Sequence, residues 1–193
     1  MRGLVVDPRA TALVVIDLQR GVVARPAAPH ASSDVVARAV RLVHAFRRAG
    51  AMIVFVHVGF SADDRDRLKP HADQPAVPAA QMPPDFAEFV DELPIADGDL
   101  RIRKRQWGAF YGTELDLQLR RRGVTTLVYT GIATNFGIES TARDAYERGY
   151  EQLFVEDAMS GLTAEAHQFA VSTIFPRMGR VVSTDDAIAK IGG

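Results

Sequence analysis

Apolar residues in this chain fall into short continuous blocks separated by longer amphipathic stretches. Ala12-Leu13-Val14-Val15-Ile16, Met52-Ile53-Val54-Phe55-Val56 and Val124-Thr125-Thr126-Leu127-Val128-Tyr129 are nearly unbroken and partly β-branched. Such runs are the pattern of strands buried on both faces, as in a parallel sheet. Asp99–Lys104, Gln152–Val155 and Arg180–Ser183 add three shorter strand candidates. Between them the period changes to that of a helix. Val35, Val36, Ala39, Val40, Val43 and Phe46 recur at helical spacing after the capping candidates Ser32, Ser33 and Asp34, and Gly50 ends the segment. Further helices are predicted over 115–122, 138–148, 164–174 and 185–190, with a short one over 85–93. Six strands alternating with helices predict an α/β fold: a six-stranded parallel sheet with right-handed crossovers, in a three-layer α/β/α sandwich. No repeat, low-complexity tract or linker divides the chain, so residues 1–193 read as a single domain.

Two stretches break the alternation. Residues 21–31, with Pro26 and Pro29, read as a loop. Residues 60–84 are polar and carry Pro70, Pro75, Pro78, Pro83 and Pro84. A connection of that length usually serves as a lid, a binding loop or a subunit contact. Composition narrows the partners. Net charge is −1, which gives no electrostatic reason to expect nucleic acid or an anionic membrane. No apolar run approaches the roughly 18 residues that span a bilayer, and Met1–Arg9 lacks the apolar core of a signal peptide, so a cytoplasmic protein is the expectation.

Candidate chemistry gathers at strand ends. Asp17 follows the first strand at its carboxyl tip, the edge where α/β sheets bind ligands. The pattern alone leaves open whether it is a site residue or a turn aspartate. His57 stands near the carboxyl end of the second strand and is carried as a pocket candidate. His44 reads as a helix-surface residue, and His71 with Asp73 as part of a solvated loop. Arg101–Arg105 and Arg120-Arg121-Arg122 read as ion-paired or solvated edges. The most informative run is Thr130-Gly131-Ile132-Ala133-Thr134-Asn135-Phe136-Gly137-Ile138, a strand followed by a small-residue turn and a helix. A helix start at that edge offers free N–H groups to an anion or oxyanion.

Three segments resemble the isochorismatase-like (cysteine hydrolase) superfamily in order and spacing: Val15-Ile16-Asp17-Leu18-Gln19; Lys104-Arg105-Gln106-Trp107-Gly108-Ala109-Phe110 with Gly112-Thr113-Glu114-Leu115; and Gly131–Ala142. The resemblance covers nearly the whole chain. It implies a Rossmann-like strand order 3-2-1-4-5-6, a homodimer or homotetramer, and no cofactor. It assigns Asp17 as general acid or base and Lys104 as its partner. It also implies a non-proline cis peptide at Ile132–Ala133, with the Ala133 and Gly137 N–H groups as an oxyanion-type donor pair. Ile132, Ala133, Thr134, Phe136, Trp107, Phe110 and His57 are the expected substrate-binding residues. Some relatives bind a metal through an Asp-His-His group; no matching spacing is found, and no catalytic metal is expected.

The departure is Gly137, at the position where most of the superfamily carries its nucleophilic cysteine. The chain contains no cysteine at all. Ser140 lies about 4.5 Å further along the helix axis, too far to substitute. No histidine is evidently placed to activate Thr134. True isochorismatases resemble this chain in having glycine there, and they cleave a vinyl ether by protonation and water addition. The sequence thus leaves three readings: hydrolysis by Asp17 and Lys104, with a vinyl ether as leading substrate; a catalytically inactive small-molecule binder; and a cysteine-independent amidase in which Asp17 activates water.

Overall fold

A computed structural model of the chain describes residues 6–74, 77 and 81–191. Pro75 and Pro78 of the long loop lie outside the described residues. The six strands are β1 (Thr11–Ile16), β2 (Met52–Val58), β3 (Leu100–Lys104), β4 (Thr126–Ile132), β5 (Glu151–Ser160) and β6 (Arg180–Val182). They form one sheet in the order β3-β2-β1-β4-β5-β6, with every neighbouring pair parallel. β1 is buried at every position, which is why its sequence is continuously apolar.

The helices are α1 (Arg20–Val23), α2 (Ser32–Arg48), α3 (Leu115–Arg121), α4 (Glu139–Glu147), α5 (Ala164–Phe169) and α6 (Thr184–Ile191). Alternate residues of β1 feed two cores. Leu13 and Val15 pack with Val35, Ala39, Leu42 and Phe46 of α2 and with Ala187 and Ile191 of α6. Ala12, Val14 and Ile16 pack on the other face with Leu115 and Leu119 of α3, Ala142 and Ala145 of α4, and Phe175. The result is the expected three-layer sandwich. Burial of these side chains contributes on the order of 25 cal/mol per Å² of apolar surface and is the main term holding the layers together.

Two expectations change. The predicted helix over 85–93 is a series of turns, with Phe89 paired antiparallel to Gln19. Its backbone is committed elsewhere: the Phe86 and Glu88 carbonyls accept from the Gly21 and Arg20 N–H groups, and Val90 N–H donates to Leu18 O. Those acceptors are lost to a local helical ladder. The fifth strand is longer than its apolar core suggests. β5 runs through Glu156 and Asp157 to Ser160, after a register shift opposite Tyr129 and Gly131. That extension carries polar residues to the carboxyl edge.

Candidate active site

The carboxyl edge of β1 is shaped by its neighbours. Ile16 pairs with Gly131 on one side and Val56 on the other. Gly131 has φ 134°, and a Cβ there would meet the Ile16 carbonyl oxygen at 1.9 Å. Only glycine permits that approach. Asp17 follows with φ 56°, a left-handed conformation sparsely populated by non-glycine residues, and its N–H donates to Val56 O at 2.8 Å. Gln19 is buried and locks the same edge. Its side-chain amide donates to Val58 O (3.0 Å) and Phe86 O (2.8 Å), while its oxygen accepts from Val58 N–H (2.8 Å). Sequence reading placed Gln19 in a motif segment without a role; the structure gives it one, fixing β1 to β2 and to the 83–90 turns.

Lys104 ends β3, in register with Val58 of β2. It stands two strands from Asp17, roughly 10 Å at ordinary sheet spacing, a gap that suits a lysine stem. Its Nζ donates to Asp17 Oδ2 at 2.8 Å and to Trp107 O at 2.6 Å. Lys104 is 1% exposed and Asp17 6%. Asp17 Oδ1 is buried with no hydrogen-bond partner among the described residues. Burial pushes the Asp17 carboxyl above the ordinary carboxylate range, with the Lys104 ammonium pulling against the shift.

Gly137 faces this pair directly. A Cβ on it would lie 2.9 Å from Asp17 Oδ2 and 3.1 Å from Lys104 Nζ. The turn before it follows the sequence expectation: the Ile132–Ala133 peptide is cis, and Thr134–Ile138 forms a single wide helical turn ahead of α4. Thr141 ties this turn to the loop after β3, donating to Gly137 O (2.6 Å) and accepting from Ala109 N–H (3.1 Å).

The aromatic candidates separate. Trp107 packs edge-on against Phe136, with ring centroids 4.9 Å apart, and is 63% exposed. Phe110 does not join them. It is 4% exposed, packs on Tyr150 at 5.9 Å and lies beneath the Arg148 guanidinium. Three residues along the loop its side chain has turned into the α3–α4 core, so it is a packing residue and not pocket lining. His57 stacks on Phe89 (4.9 Å), with Nδ1 2.7 Å from Ala87 O. His44 is exposed on α2. Arg105 pairs with Asp66 at 2.6 Å, and Arg103 donates to the Gly59 and Phe60 carbonyls, so this arginine run is a strand edge tied to the 60–74 loop. Asp66, held by the Ser61 N–H and Arg105, titrates at about 2.

A second polar cluster has no counterpart in the sequence reading. Thr134 Oγ1 lies 2.9 Å from His167 Nδ1, and His167 Nε2 lies 3.2 Å from Glu156 Oε1. His30 Nε2 approaches the same oxygen at 3.0 Å. Thr134 does therefore have a histidine beside it, contrary to the expectation that none was placed there. Burial lowers the His167 pKa below the ordinary imidazole range, with Glu156 pulling the other way. Burial raises the Glu156 carboxyl, but the histidine hydrogen bonds outweigh it and the net shift is downward. Nothing in the spacing of residues 30, 156 and 167 signals this meeting. It depends on the length of β5 and on the Ala28–Gly161 pairing that folds the 24–31 loop back over the strand.

The parallel sheet in this order, with a buried carboxylate–lysine pair and a glycine-lined turn at its carboxyl edge, defines an α/β protein whose candidate site lies at the strand ends. The chain belongs to the isochorismatase family, whose Isochorismatase domain model matches residues 11–186. It is 48% identical over 192 residues to the uncharacterized isochorismatase family protein YwoC of Bacillus subtilis, covering 99% of each chain. It is 34% identical over 177 residues to the ureidoacrylate amidohydrolase RutB of Methylorubrum extorquens, covering 79% of this chain and 70% of that one. Among solved structures, an isochorismatase family protein from Burkholderia thailandensis superimposes with a TM-score of 0.92 at 43% identity, covering 96% of this chain and 97% of that one. Among the described residues no helix is long and apolar enough to cross a membrane.

Proposed function

We propose that this isochorismatase-family hydrolase works without a nucleophilic side chain, using Asp17 as a proton donor to add water across an isochorismate-like vinyl ether. The observation that carries the reading is the buried pair itself. Asp17 keeps one oxygen on Lys104 and one oxygen unpaired, and the pair occupies the space that a side chain at residue 137 would enter. Gly137 stands where the superfamily carries its cysteine, and with no cysteine in the chain a thiol route is closed.

The chemistry follows from the geometry. A carboxyl whose pKa is raised by burial keeps its proton above the ordinary carboxylate range, and in that protonated form it can protonate the terminal carbon of an enol ether. The oxocarbenium so formed takes up water, whose proton returns to the Asp17 carboxylate. The resulting hemiketal then breaks to a ketone and an alcohol, and one water is consumed overall. Lys104 stays bonded to Oδ2 throughout and stabilises the carboxylate form of Asp17. Trp107 and Phe136 supply an apolar wall, and Ile132, Ala133 and Thr134 present the turn backbone to the substrate's polar groups. His57 sits at the rim.

The RutB relative favours a second reading, amide hydrolysis with Asp17 as base for a water beside Gly137. The two readings need opposite protonation states of Asp17. The purified protein is offered isochorismate, ureidoacrylate and N-carbamoylsarcosine in parallel. Pyruvate release from isochorismate, with no ammonia from the other two, is the expected outcome. Ammonia release without vinyl ether cleavage overturns the first reading in favour of the second, and binding without turnover of any of the three points to an inactive binder.

A further inference from the structure

We propose that His30, Glu156 and His167 form a binding site for a late first-row divalent cation such as Zn²⁺ or Co²⁺, built from residues that the Asp17–Lys104 chemistry does not use. The three side chains offer two imidazole nitrogens and one carboxylate oxygen, and these ligand atoms all lie within 4.8 Å of one another. His30 Nε2 and His167 Nε2 converge on the same atom, Glu156 Oε1, at 3.0 and 3.2 Å. A tetrahedral ion with bonds of about 2.0–2.2 Å holds its ligands about 3.4 Å apart, so two of the three separations are already close to the bound geometry. The imidazole rings meet edge to face, 5.7 Å apart at 85°, so their nitrogens point at one locus from two planes.

The three ligands come from separate elements, each fixed by its own contacts. His30 precedes α2 and is held by the Ser160 hydroxyl, which donates to its carbonyl at 2.8 Å. Glu156 belongs to β5, and His167 is fully buried on α5. Metal-bound histidines are oriented by a partner on the second ring nitrogen. Thr134 Oγ1 holds that position, 2.9 Å from His167 Nδ1. In the absence of metal the hydroxyl donates to Nδ1 while Nε2–H donates to Glu156. With metal on Nε2 the proton moves to Nδ1 and donates to the threonine. The side chains of His30 and Glu156 are 24% and 35% exposed, which leaves an approach for the ion and room for a water as fourth ligand. Two imidazoles and one carboxylate suit zinc, cobalt or nickel. Magnesium and calcium prefer all-oxygen shells.

The test reads metal directly and does not depend on turnover. Tag-free full-length protein is stripped with chelator, dialysed, and titrated with Co²⁺ alone. The expected result is one equivalent of Co²⁺ bound per chain, with visible d–d absorption, and a melting temperature raised by roughly 5–10 °C at 100-fold excess over Kd. His30→Gln and Glu156→Gln, both at partly exposed positions, each abolish the absorption and the shift. Thr134→Val weakens binding by about 10–100-fold through loss of the orienting hydroxyl. His44→Gln, on the exposed face of α2, changes neither. Absence of binding by the wild-type protein at millimolar Co²⁺ overturns the proposal. So does binding that survives both His30→Gln and Glu156→Gln, and so does equal loss in His44→Gln. If His167→Gln fails to fold, the His30 and Glu156 variants still decide the question.

Discussion

Two polar clusters flank the turn at the end of β4, and each solves the problem of polar burial differently. Asp17 and Lys104 form a buried ion pair, with one carboxylate oxygen left without a partner among the described residues. Glu156 instead accepts from two histidines, and His167 passes its other nitrogen to Thr134, so both imidazole nitrogens of the buried residue are paired. A buried polar atom without a partner costs about 1–3 kcal/mol, and such costs persist where a site needs them. On the proposed function the first cluster acts on a proton. The second is satisfied as it stands and is partly open to solvent, an arrangement suited to holding something in place. On the two proposals above, the difference separates reaction from binding within one sheet edge, and it can be broken experimentally.

The largest effect is expected from Asp17→Asn. Loss of the acid lowers kcat/KM for vinyl ether hydrolysis by about 10²–10⁴-fold, while Co²⁺ affinity at the second cluster stays as in the wild type. Equal loss of both would show that the clusters are one unit. The pH profile sharpens the same point. Burial raises the Asp17 pKa, so the protonated, active form persists above the ordinary carboxylate range. As pH rises through the raised pKa, the acid is lost and kcat/KM falls. Asp17→Asn lacks that limb, and an amidase using Asp17 as base shows the opposite slope.

Next comes the ion pair as a structural element. Removing one partner of a buried pair strands the other charge, at a cost of about 3–5 kcal/mol. Lys104→Met is expected to lose that much in denaturant unfolding. The double variant Asp17→Asn/Lys104→Met loses less than the two single costs added together, because neither charge is left alone. Strict additivity would mean that the 2.8 Å contact carries no coupling.

These two clusters also differ in how far they could be read from the chain. The sheet was legible because parallel strands buried on both faces are written as apolar runs, and β1 is a clear instance. Asp17, Lys104 and Gly137 were legible because each sits within a motif segment beside a strand end or turn. Phe110 misled because it lies in the same aromatic loop as Trp107, and sequence gives no sign of which ring turns inward. The 85–93 segment misled because its carbonyls are taken by α1, a tertiary competition that local spacing does not encode. His30, Glu156 and His167 left no spacing signal: 126 residues separate the first two, and they meet only through the folded path of the 24–31 loop over β5.

A smaller effect is expected at Gly137. A methyl group there would press on Asp17 Oδ2 and Lys104 Nζ at 2.9 and 3.1 Å, and Gly137→Ala should cost about 1–3 kcal/mol as an overpacked site. Gly137→Cys should behave in the same way and gain no amidase activity, because its Cβ displaces the acid–base pair that the thiol would depend on. Thiol-dependent ammonia release from ureidoacrylate by Gly137→Cys would count against the view that this pair has closed over the position.

The smallest effect on stability belongs to Trp107, the one part of the first cluster that faces solvent. Its edge-on contact with Phe136 is of a kind that contributes about 0.5–1.5 kcal/mol, and its own exposure limits what packing it loses on truncation. Trp107→Ala should therefore leave the melting temperature nearly unchanged while raising KM, since an apolar wall binds ground state and transition state alike and its removal leaves kcat close to the wild-type value. The Lys104 Nζ contact runs to the backbone oxygen of residue 107 and survives the substitution, so the ion pair is not disturbed by it. A fall in kcat with KM unchanged would place the indole in the proton-transfer step and would blur the line between the reacting pair and its surroundings.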